Sequence, residues 1–66
     1  MNMKFTFHLK NGKTFECVEK QTAEELQKTI EVIKLSMRDG INAYVSFDNC
    51  CVRIAECAVV EWEELS

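Results

Sequence analysis

Sixty-six residues with a net charge of −3, 47% hydrophobic and 29% charged, make one folded domain, residues 1–66, and leave no room for a second. No apolar run approaches the roughly 18 residues of a membrane span, which excludes a helical membrane protein. A chain this small buries only about 60% of the surface that it exposes unfolded, so its core calls for close packing, a staple or a partner subunit.

The opening residues alternate. Met3, Phe5, Phe7 and Leu9 fall on one face and Lys4, Thr6 and His8 on the other, the pattern of a half-buried strand. This start is not the apolar core of a secretory leader, and a cytoplasmic location with reduced thiols is expected. Asn11-Gly12 marks a hairpin. A two-residue loop strands Phe15 and Cys17 on the polar face. A three-residue loop, Lys10-Asn11-Gly12, with Gly12 left-handed, sets Phe7 against Phe15 and Phe5 against Cys17. One residue of slip flips every side chain, so burial selects the longer loop.

Thr22 followed by Glu25 is a capping box and opens a helix. Leu26, Ile30, Ile33 and Met37, with Ala23 one turn earlier, form a stripe expected to face the sheet. Gly40 ends the helix as a left-handed cap. Leu35 projects almost opposite the stripe, and Val32 lies about 120° from its centre, a small outward apolar patch.

Ile41, Ala43, Val45 and Phe47 alternate with Asn42, Tyr44 and Ser46 as a third strand. Asp48-Asn49 predicts a turn with both residues left-handed, pairing Phe47 with Cys50, Val45 with Val52 and Ala43 with Ile54. Glu56 then breaks the pattern, and Ala55-Glu56-Cys57 reads as a kink or short helical turn. Ala58, Val60 and Trp62 resume the inward positions of a last strand, with Val59, Glu61 and Glu63 facing away. The fold class is α+β, in the order β-β-α-β-β(-β): an antiparallel sheet with one helix packed on one face.

Chemistry is sparse in this pattern. Cys17, Cys50, Cys51, Cys57 and His8 include zinc-ligand types, but no C-x2-C or C-x4-C pair presents two sulfurs from one turn. His8 falls on the face opposite Cys17. Buried cysteine acting as a small apolar residue is the reading taken, with no metal and no cofactor. Cys50 and Cys51 point to opposite sides of a strand, which argues against a disulfide framework. One histidine, short connections and no phosphate-cradling glycine loop leave no catalytic residue to name, so the chain is read as a non-enzyme.

Charge is uneven. Residues 1–40 hold seven basic and six acidic side chains, a balance of +1; residues 41–66 hold Arg53 against five acidic groups, a balance of −4. Such an acidic end repels nucleic acid; it reads first as a solvated tail, with a face for a basic protein surface as the alternative. Glu61 and Glu63 also blunt a sheet edge against unwanted pairing.

The segment Met3-Lys4-Phe5-Thr6-Phe7-His8-Leu9-Lys10-Asn11-Gly12-Lys13-Thr14-Phe15-Glu16, the Thr-x-x-Glu helix start, and the tail from Val52 through Trp62-Glu63-Glu64 together resemble small phage and prophage proteins of Gram-positive bacteria. The resemblance implies a hairpin-helix-hairpin layout and an accessory role inside the bacterial host, of the kind that inhibits a host or defence protein by occupying its surface. The reading adopted is a non-catalytic binder of another protein, as a homodimer, with Val32, Leu35, Glu61, Trp62, Glu63 and Glu64 as its contact residues. The alternative is a nucleic-acid-associated regulator using Lys4, Lys10 and Lys13 of the first hairpin.

Overall fold

A computed structural model describes residues 1–48 and 50–65. Strands β1 (Asn2–Leu9) and β2 (Thr14–Lys20) are followed by helix α1 (Ala23–Asp39), strands β3 (Tyr44–Ser46) and β4 (Cys51–Arg53), a 3-10 turn (Ile54–Glu56) and strand β5 (Cys57–Leu65). All pairings are antiparallel. They form two sheets rather than the expected one: a three-stranded sheet in the order β2-β1-β5, and the separate two-stranded hairpin β3-β4.

The first hairpin has the register that burial demands, Phe7 opposite Phe15 and Phe5 opposite Cys17. Its turn closes through the Gly12 N–H donating to Leu9 O at 3.0 Å and the Leu9 N–H donating to Lys13 O at 2.8 Å. Gly12 holds φ +91°, a conformation that side-chain-bearing residues rarely adopt. On its other edge β1 pairs with β5, placing Trp62 opposite Phe5 and Val60 opposite Phe7. Met3, Phe5 and Phe7 are thus buried on an inner face, while Lys4, Thr6 and His8 lie half-buried on the outer one.

Helix α1 begins as expected. The Glu25 N–H donates to Thr22 Oγ1 at 3.2 Å, and the Thr22 N–H donates to Glu25 Oε1 at 2.9 Å. Gly40, at φ +69°, ends it. The buried line, however, runs through Leu26, Thr29 and Ile30, Ile33 and then Ser36, leaving Ala23 and Met37 exposed. From Ile30 the packed positions advance by three residues, and each such step rotates the contact line by about 60° away from Met37. Ser36 meets the structure there because α1 packs on the 3-10 turn and β3, where a small side chain admits close approach. Gln21 ties this helix to β2: its Nε2 donates to Glu19 Oε2 at 3.1 Å and to Thr29 Oγ1 at 3.2 Å.

The second hairpin carries the expected register, Val45 opposite Val52, with the Phe47 N–H donating to Cys50 O and the Ile54 N–H donating to Ala43 O. Its strands are shorter than expected, and Ile41 is exposed before β3 begins. Among the described residues only Gly12 and Gly40 have positive φ, so Asp48 is not left-handed; Asn49 lies outside the described residues. This hairpin folds over the inner face of the larger sheet, where Phe47 packs on Phe5 and Phe7. Met3, Phe5, Phe7, Cys17, Ile33, Val45, Phe47, Val52, Ile54 and Cys57 form the core.

Cys17 and Cys50 are joined by a disulfide, against the expectation of four free thiols. The opposed directions of Cys50 and Cys51 do not prevent it: Cys50 turns in toward Cys17 on the inner face of β2, and Cys51 turns out. Cys57 is a buried free thiol.

Candidate functional site

Three exposed apolar side chains, Leu35, Met37 and Trp62, meet between α1 and β5. Ile33, Leu35 and Met37 on the helix and Val60 and Trp62 on the strand line an open groove of about 560 Å³, with Lys34 and Arg38 adding positive charge. Leu35 and Met37 are each 43% exposed and Trp62 is 36% exposed. Trp62 lies on the inner face because it stands opposite Phe5, but at the outer strand of the sheet, where neither α1 nor the β3-β4 hairpin covers it fully.

A second hollow, about 600 Å³, opens on the outer face and is bordered by Lys4, Thr6, Glu61, Trp62 and Glu63. Trp62 therefore borders both hollows. Pairing on the outer face follows from the registers: Lys4 Nζ lies 3.0 Å from Glu63 and 3.2 Å from Glu16. These two carboxylates, Glu63 first, hold the Lys4 ammonium above its ordinary pKa.

His8 is the hub of the same face. Its Nε2 is 3.1 Å from Glu61 Oε2 and its Nδ1 is 3.3 Å from Thr14 Oγ1, so a hydroxyl, an imidazole and a carboxylate stand in line across three strands. Such an order can relay a proton. Here it sits on an open surface with the His8 side chain 39% and Glu61 64% exposed, where water competes for every one of these bonds. Elsewhere Arg53 Nε and Nη2 donate to Tyr44 Oη at 3.0 and 2.7 Å; this hydrogen bond raises the Arg53 pKa.

Of the six contact residues expected from sequence, Leu35 and Trp62 meet in the groove, and Glu61 and Glu63 border the outer hollow together with Trp62. Val32 is exposed but does not line the groove, and Glu64 stands opposite Met3 away from both hollows. Met37, Val60, Lys4 and His8 were missed as surface groups of these sites. The helical periodicity places Met37 in the core stripe, and the others depend on the β1-β5 pairing, which joins distant strands and has no local signal.

The lysines considered for phosphate contact are not equivalent. Lys4 is engaged by two carboxylates, while Lys10 and Lys13 are exposed at the hairpin tip. Among the described residues no three His, Cys, Asp or Glu side chains converge as a metal centre requires, and no helix is long and apolar enough to cross a membrane. No known family, curated protein or solved structure matches this chain.

Proposed function

We propose that this chain acts non-catalytically by binding another protein, and that it inhibits or modulates a host or defence protein as a cytoplasmic phage or prophage accessory protein. The observation that carries the reading is Trp62, a large aromatic side chain left 36% exposed between two hollows and framed by Glu61 and Glu63. Tryptophan with a partly desolvated rim is a favoured anchor at protein interfaces. The neighbouring carboxylates suit a partner with basic groups around an apolar pocket, because charge complementarity steers association and fixes register.

The test is affinity capture from a bacterial host lysate with three baits: the wild-type chain, Trp62→Ala and Leu35→Glu. A partner held by the wild type and lost with both variants, whose far-UV spectra match the wild type, supports the reading. A partner captured equally by all three baits removes the groove from it. Retention on DNA or RNA that weakens steeply with salt replaces the reading with the nucleic-acid alternative.

A further inference from the structure

The two free edges of the larger sheet differ in a way that selects a partner. Along β2, bonded pairs with β1 are fixed at both ends: the Leu9 N–H donates to Lys13 O at 2.8 Å, the Gln21 N–H donates to Met1 O at 2.8 Å, and the Met1 ammonium donates to Gln21 O at 3.0 Å. Bonded and non-bonded pairs alternate in an antiparallel ladder. The odd-numbered residues of β2 therefore bond to β1, and Glu16, Val18 and Lys20 direct their N–H and C=O groups outward. Their side chains share the outer face, opposite Thr6, Lys4 and Asn2. Val18 is 55% exposed at the centre of this edge.

Read in both directions, Glu16-x-Val18-x-Lys20 is complementary to itself. In a two-fold antiparallel pairing centred on Val18, Glu16 faces Lys20 of the second copy, Lys20 faces Glu16 of the second copy, and the two Val18 side chains meet. Centring on Cys17 sets Glu16 against Val18, and centring on Glu16 or Glu19 sets a glutamate against itself. Among the residues of β2, Thr14–Lys20, only the Val18 register joins opposite charges, and it does so twice; opposite-charge cross-strand pairs stabilise a ladder and like charges weaken it. The edge of β5 lacks this property. Its fullest overlap, about Glu61, sets Glu61 against itself, and the register about Trp62 sets Glu61 against Glu63 twice.

We infer that a second copy of this chain docks on β2, joining two three-stranded sheets into one six-stranded sheet through the Glu16, Val18 and Lys20 edge. Main-chain bonding supplies the affinity and the charge palindrome supplies the register. This association is separate from the groove between α1 and β5, which stays open on each copy. It also replaces Val32 and Leu35 as the dimer contact.

Sedimentation equilibrium of the full chain tests it, with a monomer of 7.6 kDa and a species of twice that mass expected at micromolar to millimolar concentration. Lys20→Glu lines the seam with carboxylates and weakens association at least about tenfold. Glu16→Lys lines it with ammonium groups and does the same. An equimolar mixture of these two variants associates again, since each offers the charge the other needs. Val18→Pro removes an outward N–H that the monomer does not use, so it abolishes association while the far-UV spectrum stays that of the wild type. A lone 7.6 kDa species at millimolar concentration, a Lys20→Glu dimer as tight as the wild type, masses beyond the dimer, or a variant mixture that stays monomeric overturns the inference.

Discussion

The rings of Phe47 and Phe5 meet at 5.1 Å, and this contact joins the small β3-β4 hairpin to the larger sheet. Phe5 is fully buried and Phe47 nearly so, with Phe7 at 5.9 Å completing the cluster. Tilted aromatic pairs at such distances add to the area they bury. The β3-β4 hairpin, with three residues in each strand, has little ladder of its own, so its position depends on this packing.

Phe47→Ala is therefore expected to cost about 3 to 5 kcal/mol, a large share of the stability of a domain this size. Urea denaturation reads it as a lower midpoint. Loss confined to the β3-β4 hairpin, with the β1-β2-β5 amides still protected from exchange, would show that the larger sheet stands without it.

Thr22→Ala removes the hydroxyl that accepts from the Glu25 N–H and is expected to destabilise the fold by about 1 kcal/mol. The reciprocal bond has a pH signature. The Thr22 backbone N–H, first, and its side chain hold the Glu25 carboxyl below its ordinary pKa. A group whose folded pKa is depressed contributes stability above its unfolded value, and that contribution is lost as pH falls through the folded one. Stability should thus decline on acidification from the ordinary glutamate range downward, and Glu25→Gln should flatten that part of the profile in a titration of melting temperature.

Gly12→Ala should destabilise the first hairpin by about 1 to 2 kcal/mol, because L-residues resist positive φ. An added Cβ meets nothing within 4 Å, so the cost is conformational rather than steric against neighbours. Gly12→Asn should cost less, since asparagine tolerates the left-handed region. Equal losses for the two, measured by denaturant unfolding, would contradict this account.

The Cys17–Cys50 disulfide spans a sequence separation of 33 residues. Closing a loop of that size restricts the unfolded chain by about 3 to 4 kcal/mol in the chain-entropy account. A Cys50→Ser variant should lose stability of that order, and the wild type should match it in excess reductant. In the oxidised protein Cys51 should alkylate quickly and Cys57 slowly. Burial raises the Cys57 pKa and thins its thiolate, so its alkylation should speed up only as the pH is taken above the ordinary thiol range.

The local features were legible in the sequence. The three-residue turn follows from the need to keep Phe15 and Cys17 beside Phe7 and Phe5, and the capping box and Gly40 bound the helix within a residue. The Val45–Val52 register follows in the same way from matched apolar faces. The distant relations were not legible. Nothing near Trp62 announces that it will stand opposite Phe5, since that choice is made by the whole sheet. The division into two sheets, the approach of Cys50 to Cys17 and the outward turn of Met37 all follow from how the second hairpin lies over the first, which no single segment encodes. The outer-face line of Thr14, His8 and Glu61 draws on three strands and was invisible for the same reason.

β1 lies between β2 and β5, so the earliest strand of this sheet is completed by its latest. During synthesis the β1-β2 hairpin leaves the ribosome with one long edge still bare, and only the arrival of β5 covers it. Until then Phe5 and Phe7 have no neighbours on that side. Joining the first strand to the last makes this sheet rich in contacts between distant residues, so it closes in a late, cooperative step.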